Sequence, residues 1–339
     1  MRYIGSKARI IDFISRVVED TFGDCSNAVF ADLFSGTASV ALHFKNKGAQ
    51  IISNDYLYFS YALQVAKIKL NVEPICVLSY KEALEVLNKI PGKEGFFVKE
   101  YTLEGTSEKE YKRNYFSFDN AKKIDAICLQ LQEWLSDHKI NEDMYFLLSA
   151  CLVDAITKVS NTSGTYGAFL KTDDARKYKS LELNAIPIVS NNKENVCYCE
   201  DIQNLIDHVK GDILYLDPPY NNRQYPPYYH ILETAVLYDE PDIYGLTGRR
   251  HYEDKMSPFC MKDKALDAMV NIVKKADFSN VYISYSTEGI VPYLEMIEHL
   301  RSLGSVECFY RDYRRYKSND GGKAPEKPLK EIVIYVKKR

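Results

Sequence analysis

No stretch of the chain approaches the roughly twenty uninterrupted apolar residues of a membrane-spanning helix, and the opening Met1-Arg2-Tyr3-Ile4-Gly5 lacks a secretory apolar core. The expectation is a cytoplasmic protein with no membrane partner. A basic excess is missing as well. With 44 Lys and Arg against 47 Asp and Glu the formal net charge is −3, so binding to nucleic acid would have to rest on local charge. The eight cysteines, at 25, 76, 128, 151, 197, 199, 260 and 308, are scattered. Only Cys197 and Cys199 are close, and the period of a strand puts both sulfurs on one face. No second Cys/His pair completes four ligands, so reduced core thiols are expected, zinc being the alternative, and no metal is expected. The fingerprint Gly-x-Gly-x-x-Gly is absent too, which argues against a dinucleotide cofactor.

What remains is an ordinary globular composition, 46% hydrophobic and 27% charged, in 339 residues. That length exceeds the usual single domain, so a core carrying an inserted or appended domain is expected.

The most constraining stretch is Asp212-Ile-Leu-Tyr-Leu-Asp217-Pro218-Pro219-Tyr220. It reads as a buried strand ending in a carboxylate, two prolines and an aromatic face. Prolines cannot extend a central ladder and carry no N–H, so the chain must leave the sheet here with the Pro218 carbonyl unclaimed by a following helix. Asp217 and that carbonyl are then two acceptors for one donor-rich group, with Tyr220 available to stack beneath it. The carboxyl end of such a strand is where open α/β sheets place their active sites. A strand ending in a plain proline turn is the bland alternative.

The second signal is Ala28-Val-Phe-Ala-Asp32-Leu-Phe34-Ser35-Gly36-Thr37-Ala-Ser-Val40, an apolar run turning into a helix through a small-residue loop. A glycine and hydroxyl residues there allow a ligand close to the backbone, and the new helix offers free N–H groups. A second strand follows, Ala49 to Asn54, and ends at Asp55, 19 residues after Gly36. That is close to the spacing of about 20 expected for an acid that binds a ribose diol. Capping of the next helix by Asp55 is compatible with that role.

Taken together, Asp32-Leu-Phe-Ser-Gly-Thr37 and the downstream Asp217-Pro-Pro-Tyr220 resemble the Dam-like, D12 class of S-adenosylmethionine-dependent DNA adenine N6-methyltransferases. Arg2-Tyr3-Ile4-Gly5-Ser6-Lys7 is similar to the opening motif of that class, which closes over the methionine end of the cofactor. Asp217 to Tyr225, Tyr229 to Thr234 and Gly245 to Arg249 are similar to modification enzymes of type II restriction systems. The resemblance spans nearly the whole chain. It implies an α/β fold, a Rossmann-like class I methyltransferase sheet with helices on both faces and an inserted, mostly helical target-recognition domain.

The order of elements fits that outline. A helix is expected over Ile10 to Thr21, strands over 28–33 and 49–54, and a helix from about Tyr58. From about 75 to 190 the alternation stops, with helices near 78–90, 119–137 and 142–158 and a break at Pro91 to Gly95. Strands at 195–199, 212–217 and 280–285, helices at about 261–276 and 291–302, and a last strand from Glu331 to Val336 complete the chain. The domain boundaries expected are 1–74 with 191–339 for catalysis and 75–190 for target recognition.

The resemblance further implies that Asp32 takes the methionine ammonium of the cofactor, Asp55 the ribose, and Tyr3 and Lys7 the carboxylate end, with Gly5 in the same motif. Phe34 covers the cofactor, Ser35, Gly36 and Thr37 form its loop, and Asp217 borders it while gripping the target. Asp201 is placed for the cofactor's adenine, with helix capping the equal alternative. The product would be S-adenosylhomocysteine. Asp217, Pro218, Pro219 and Tyr220 form the catalytic set. For double-stranded DNA the candidates are Ser163, Thr165, Tyr166 and Lys171 in the polar loop 161–171, Arg223 and Arg249 around the catalytic block, and Arg314, Arg315 and Lys317. Solvated faces and a plain surface loop are the alternatives. Ser284 to Gly289 is a pocket wall or a plain strand end. A cognate restriction endonuclease and a monomer or weak dimer complete the expectation. Adenine methylation of ribosomal RNA, N4-methylation of cytosine, and a non-catalytic regulator on a decayed methyltransferase fold are the rival readings.

Overall fold

A computed structural model describes residues 5–313 and 329–339. Nine strands lie among these: β1 Val29–Asp32, β2 Gln50–Asn54, β3 Val196–Tyr198, β4 Lys210–Leu216, β5 Ile243–Tyr244, β6 Arg249–Arg250, β7 Asp277–Ser286, β8 Gly304–Tyr313 and β9 Leu329–Lys338. Contacts divide the chain into two units, one of Met1–Ser6, Leu57–Asn192 and Tyr225–Met256, the other of Lys7–Tyr56, Lys193–Gln224 and Ser257–Arg339.

The second unit holds a seven-stranded sheet in the order β3-β2-β1-β4-β7-β9-β8. Its pairs are parallel except those that β9 makes with β7 and β8, so β9 alone is reversed. Strands buried on both faces need continuous apolar runs, and β4 supplies one. Leu214 and Leu216 face Met269 and Ile272 of the helix Ala265–Lys275 and Met296 of the helix Tyr293–Leu300. Ile213 and Tyr215 alternate to the opposite face, where Phe30 stacks on Phe44 of the helix Ser39–Asn46 at 4.0 Å and lies 6.3 Å from Tyr215. On that side Thr21, ending the helix Ile11–Thr21, meets the Tyr282 hydroxyl at 2.7 Å. The chain winds outward from β1 through β2 to β3, then returns to pair β4 on the other side of β1. That reversal opens a crevice at the carboxyl ends of β1 and β4.

Most strands expected from the sequence appear within a few residues of their expected bounds. β8 was not anticipated, because its Glu307, Arg311 and Asp312 give a polar edge strand with little apolar signal. The helix Pro226–Leu237 was also unanticipated. Its two leading prolines read as a breaker, whereas proline fits the first helical turn, whose N–H groups have no partner in any case.

The other unit is built on the helices Phe118–Ser136, Glu142–Val159 and Pro226–Leu237, with Tyr58–Gln64, and carries the small antiparallel pair β5–β6. The segment 75–190 lies in it, grouped by contacts with 57–74 and 225–256. Caps set the helix starts. Ser117 accepts from Asn120 N at 3.3 Å, Asn141 from Met144 N at 3.0 Å, and Ser79 and Glu82 form a capping box before the helix Tyr80–Lys89. The buried Asp125 accepts from the backbone N–H groups of Gly95, Phe97 and Val98 and from the Tyr238 hydroxyl, all within 3.0 Å. It thereby ties the helix Phe96–Tyr101 to the end of Pro226–Leu237. Gly95 is required there, since a Cβ would lie 2.6 Å from the Tyr238 hydroxyl and 2.9 Å from Asp125 Cγ. Among the described residues no helix is long and apolar enough to cross a membrane.

Candidate active site

Two carboxylates, Asp32 at the last position of β1 and Asp217 one residue beyond β4, stand at the edge where the winding reverses. Asp32 is 1% exposed. One of its oxygens, Oδ2, accepts from Ala41 N at 3.2 Å and Ser35 Oγ at 3.3 Å, while Oδ1 is buried without a hydrogen-bond partner. Burial, reinforced by the Asp217 charge, pushes the Asp32 carboxyl up to about 8. A buried carboxylate with an unclaimed oxygen at a strand end suits a cationic group of a ligand.

The loop after β1 is shaped by its backbone. Gly36 has φ +52 and Ala38 φ +60, a left-handed turn that delivers the chain into the helix Ser39–Asn46. Gly36 donates its N–H to Asp55 Oδ2 at 2.9 Å. The following helix, Tyr58–Gln64, has Leu57 at its N-cap position. Asn54, 1% exposed, was not singled out in the sequence. Its amide donates to the carbonyls of Leu33 and Glu200 and accepts from Glu200 N, stapling the ends of β1, β2 and β3. A buried Asn beside an acid at a strand end was the available signal.

Lys7 opens the 3-10 turn Lys7–Arg9 and is 5% exposed. Its ammonium lies 3.2 Å from Asp217 Oδ1, 3.7 Å from Glu331 Oε2 and 5.1 Å from the Tyr220 ring centroid. Burial works to lower the Lys7 pKa, but Asp217, then Tyr220 and Glu331, outweigh it and hold the ammonium above its ordinary range. Burial pushes Asp217 up to about 6, against the opposing pull of Lys7. Lys7, expected at the carboxylate end of a cofactor, has its ammonium beside Asp217 and Glu331.

The Pro218 carbonyl accepts no hydrogen bond among the described residues. The Tyr220 carbonyl accepts from Ile290 N at 2.9 Å, and its ring sits edge-on to buried Tyr285 at 6.1 Å. Tyr285 is fixed in turn by Val291 N, which donates to its hydroxyl at 3.1 Å. Farther along, Gln224 exchanges two bonds with the backbone of Ser257, at 2.8 and 3.0 Å. Phe34 meets Phe259 edge to face at 5.1 Å.

The remaining sequence candidates are placed as follows. Thr37 shares a hydroxyl bond with Ser39 at 2.9 Å. Asp201 caps the short helix Ile202–Leu205 by accepting from Gln203 N at 2.9 Å. In the other unit, Gly5 has φ +80, and a Cβ there would lie 3.0 Å from the Tyr225 hydroxyl. Ser163 and Lys171 are exposed and Thr165 is half-buried. Tyr166, expected at a DNA surface, is 2% exposed and packs 6.2 Å from Tyr115, with its N–H donating to the Tyr228 carbonyl at 2.8 Å. The apolar area of its ring wins over the polar company of its loop. Arg223 is exposed, and Arg249 lies 5.1 Å over the Tyr244 ring. Ser284 is fully buried. Tyr3, Arg314, Arg315 and Lys317 lie outside the described residues. Among the described residues no group of three or more His, Cys, Asp and Glu is arranged to hold a metal ion. Cys197 accepts from the Ser53 hydroxyl at 3.2 Å.

The chain is 42% identical to the type II methyltransferase M.FokI of Planomicrobium okeanokoites, over 100% of its own length and 53% of the relative's. It is 37% identical to the type II methyltransferase M.NlaIII of Neisseria lactamica, covering 94% of this chain and 93% of that one. The modification methylase LlaI of Lactococcus lactis subsp. lactis is 36% identical, over 100% and 55%. The chain thus spans about half the length of the first and third of these relatives. Residues 3–290 match the family model of the D12 class N6 adenine-specific DNA methyltransferases. The chain belongs to that family.

Proposed function

We propose that the chain transfers a methyl group from S-adenosylmethionine to N6 of an adenine in double-stranded DNA, at one recognition sequence, as the modification enzyme of a restriction system. The observation that carries this reading is the pair of acceptors at the end of β4, the Asp217 carboxylate and the unclaimed Pro218 carbonyl, beside the buried, half-satisfied carboxylate of Asp32. Family membership favours adenine in DNA over cytosine N4 and over ribosomal RNA.

The N6 lone pair of adenine is delocalised into the ring, which makes the amine a poor nucleophile. Two acceptors on its two N–H groups localise that pair. Asp217, ionised above its raised pKa of about 6, also stabilises the positive charge that develops on nitrogen, more in the transition state than before it. Pro218 and Pro219 hold the carbonyl rigidly, and Tyr220 offers a face to stack on. A base within a duplex cannot reach these groups, so it must be flipped out at a cost of a few kcal/mol, of which stacking returns roughly 1–3 kcal/mol. Asp217 need not be a strong base, because the alkylated amine is acidic enough to lose its proton afterwards.

For the cofactor, Asp32 Oδ1 is the acceptor left for the methionine ammonium, Asp55 serves the ribose, and Phe34, Ser35, Gly36 and Thr37 form the surround. When bound, S-adenosylmethionine supplies an electrophilic sulfonium methyl. Holding both reactants in line is worth up to about 7–11 kcal/mol. In this reading 75–190 is the target-recognition domain and 1–74 with 191–339 the catalytic one. DNA contacts come from Ser163, Thr165, Lys171, Arg223 and Arg249. The enzyme works in the cytoplasm as a monomer or weak dimer, alongside a cognate endonuclease.

Methylation-sensitive sequencing of DNA from a host expressing the chain is the test. N6-methyladenine at one short sequence is expected; unmodified DNA, or N4-methylcytosine, would overturn the assignment.

A further inference from the structure

The active-site edge contains a further carboxylate that no sequence motif announced. Glu331 sits near the start of β9, paired with Ser286 of β7 and Arg311 of β8. Because β9 runs against its neighbours, its beginning lies at the carboxyl ends of the parallel strands, where Asp217 stands. Glu331 is 7% exposed, and its Oε2 is buried with no hydrogen bond among the described residues and lies 3.7 Å from the Lys7 ammonium. One ammonium therefore serves two carboxylates.

We propose that Glu331 is a positioning residue for methyl transfer: by sharing Lys7 from β9, it keeps Lys7 from neutralising Asp217 and leaves that carboxylate the negative charge the target amine requires. The proposal rests on the adenine-methylation reading above. With all three groups ionised, the Lys7–Asp217–Glu331 cluster carries one net negative charge. Without Glu331 it carries none, and the Lys7 ammonium belongs wholly to Asp217. In a dry pocket that pairing competes directly with the developing charge on N6. Among the described residues, the other groups around this cluster are Asp32 at the end of β1, Tyr215 on β4, the Tyr220 ring above Lys7 and Arg311, the cross-strand partner of Glu331 on β8. Glu331 acts to raise the Asp217 pKa, opposing Lys7.

Glu331→Gln and Glu331→Asp would be compared with the unaltered enzyme in two measurements. The first is single-turnover methyl transfer to unmodified genomic DNA across pH, with the dissociation constant for S-adenosylmethionine. The second is a carbon-13 titration of labelled aspartates, with Asp217→Asn assigning the signal, which needs no activity. Glu331→Gln is expected to lower the transfer rate roughly tenfold, with cofactor affinity within about threefold. The Asp217 titration and the acid limb of the rate should both move to lower pH, and Glu331→Asp should recover most of the rate. An Asp217 titration unmoved by Glu331→Gln, or moved with an unchanged rate, overturns the proposal. An unaltered enzyme that modifies no DNA overturns the methylation reading instead, and the aspartate titration then decides alone whether Glu331 governs Asp217.

Discussion

The ammonium of Lys7 lies 3.2 Å from the Asp217 carboxylate, with both side chains largely withdrawn from solvent. Burial pushes the Asp217 carboxyl up to about 6, against the opposing pull of Lys7. Below that pH Asp217 gains a proton and loses the negative charge that, in the proposed reaction, stabilises the developing cation on N6, so the single-turnover rate should fall as pH drops through about 6. Lys7→Met removes the cation that opposes burial and should shift this limb to higher pH. Asp217→Asn should cost roughly 100- to 1,000-fold in rate, with S-adenosylmethionine binding largely kept. A pH–rate profile of the three proteins, with the dissociation constant of each for S-adenosylmethionine, checks each statement.

Asp32 makes a separate prediction. Its carboxyl is raised to about 8, so in the ligand-free protein it is largely protonated at neutral pH. A raised carboxylate contributes stability that is present at low pH and lost as pH climbs toward the folded-state pKa. Asp32→Asn should therefore raise the melting temperature of the ligand-free protein at pH 8, while weakening S-adenosylmethionine binding about tenfold or more. In the unaltered protein a cationic ligand selects the ionised form, so cofactor affinity should rise with pH up to about 8. Calorimetry in buffers of different ionisation enthalpy would detect the released proton.

Gly95→Ala tests the other unit. The new Cβ would press into the Tyr238 hydroxyl and Asp125, the carboxylate that gathers three backbone N–H groups. Overpacking at such a point costs roughly 1–3 kcal/mol. A lower denaturant midpoint with an unchanged slope is the expected result.

Lys171 is exposed, so Lys171→Ala should leave the melting temperature within the error of measurement. If it contacts a phosphate, the slope of log affinity for DNA against log salt should shrink by about 1, with little change in sequence preference. An unchanged salt slope would remove Lys171 from the interface.

The strand ends that carry Asp32 and Asp217 were readable because their signals are local: an apolar run, then an acid, then glycine or proline that ends the ladder. The helices 118–136 and 142–159 were readable for the same reason, since Ser117 and Asn141 cap them. The polar edge strand β8 and the proline-led helix Pro226–Leu237 were not, because what stabilises them is pairing and packing with distant segments. Tyr166 shows the same limit at one residue. Its neighbours Ser163, Gly164 and Thr165 look like a surface loop, and only the packing against Tyr115 decides that its ring is inside.

By itself the sequence determined the family and the chemical types at the site, because carboxylate, carbonyl and aromatic face lie within four consecutive residues, Asp217 to Tyr220. Tertiary structure alone decided which charges meet Asp217. Lys7 and Glu331 stand at opposite ends of the chain, and they share an ammonium–carboxylate cluster only because β9 inserts backwards between β7 and β8, bringing its first residues to the edge where β4 ends. Strand direction is a property of the assembled sheet, set by the hydrogen-bond ladder and by burial on both faces, and no local pattern in residues 329–338 encodes it.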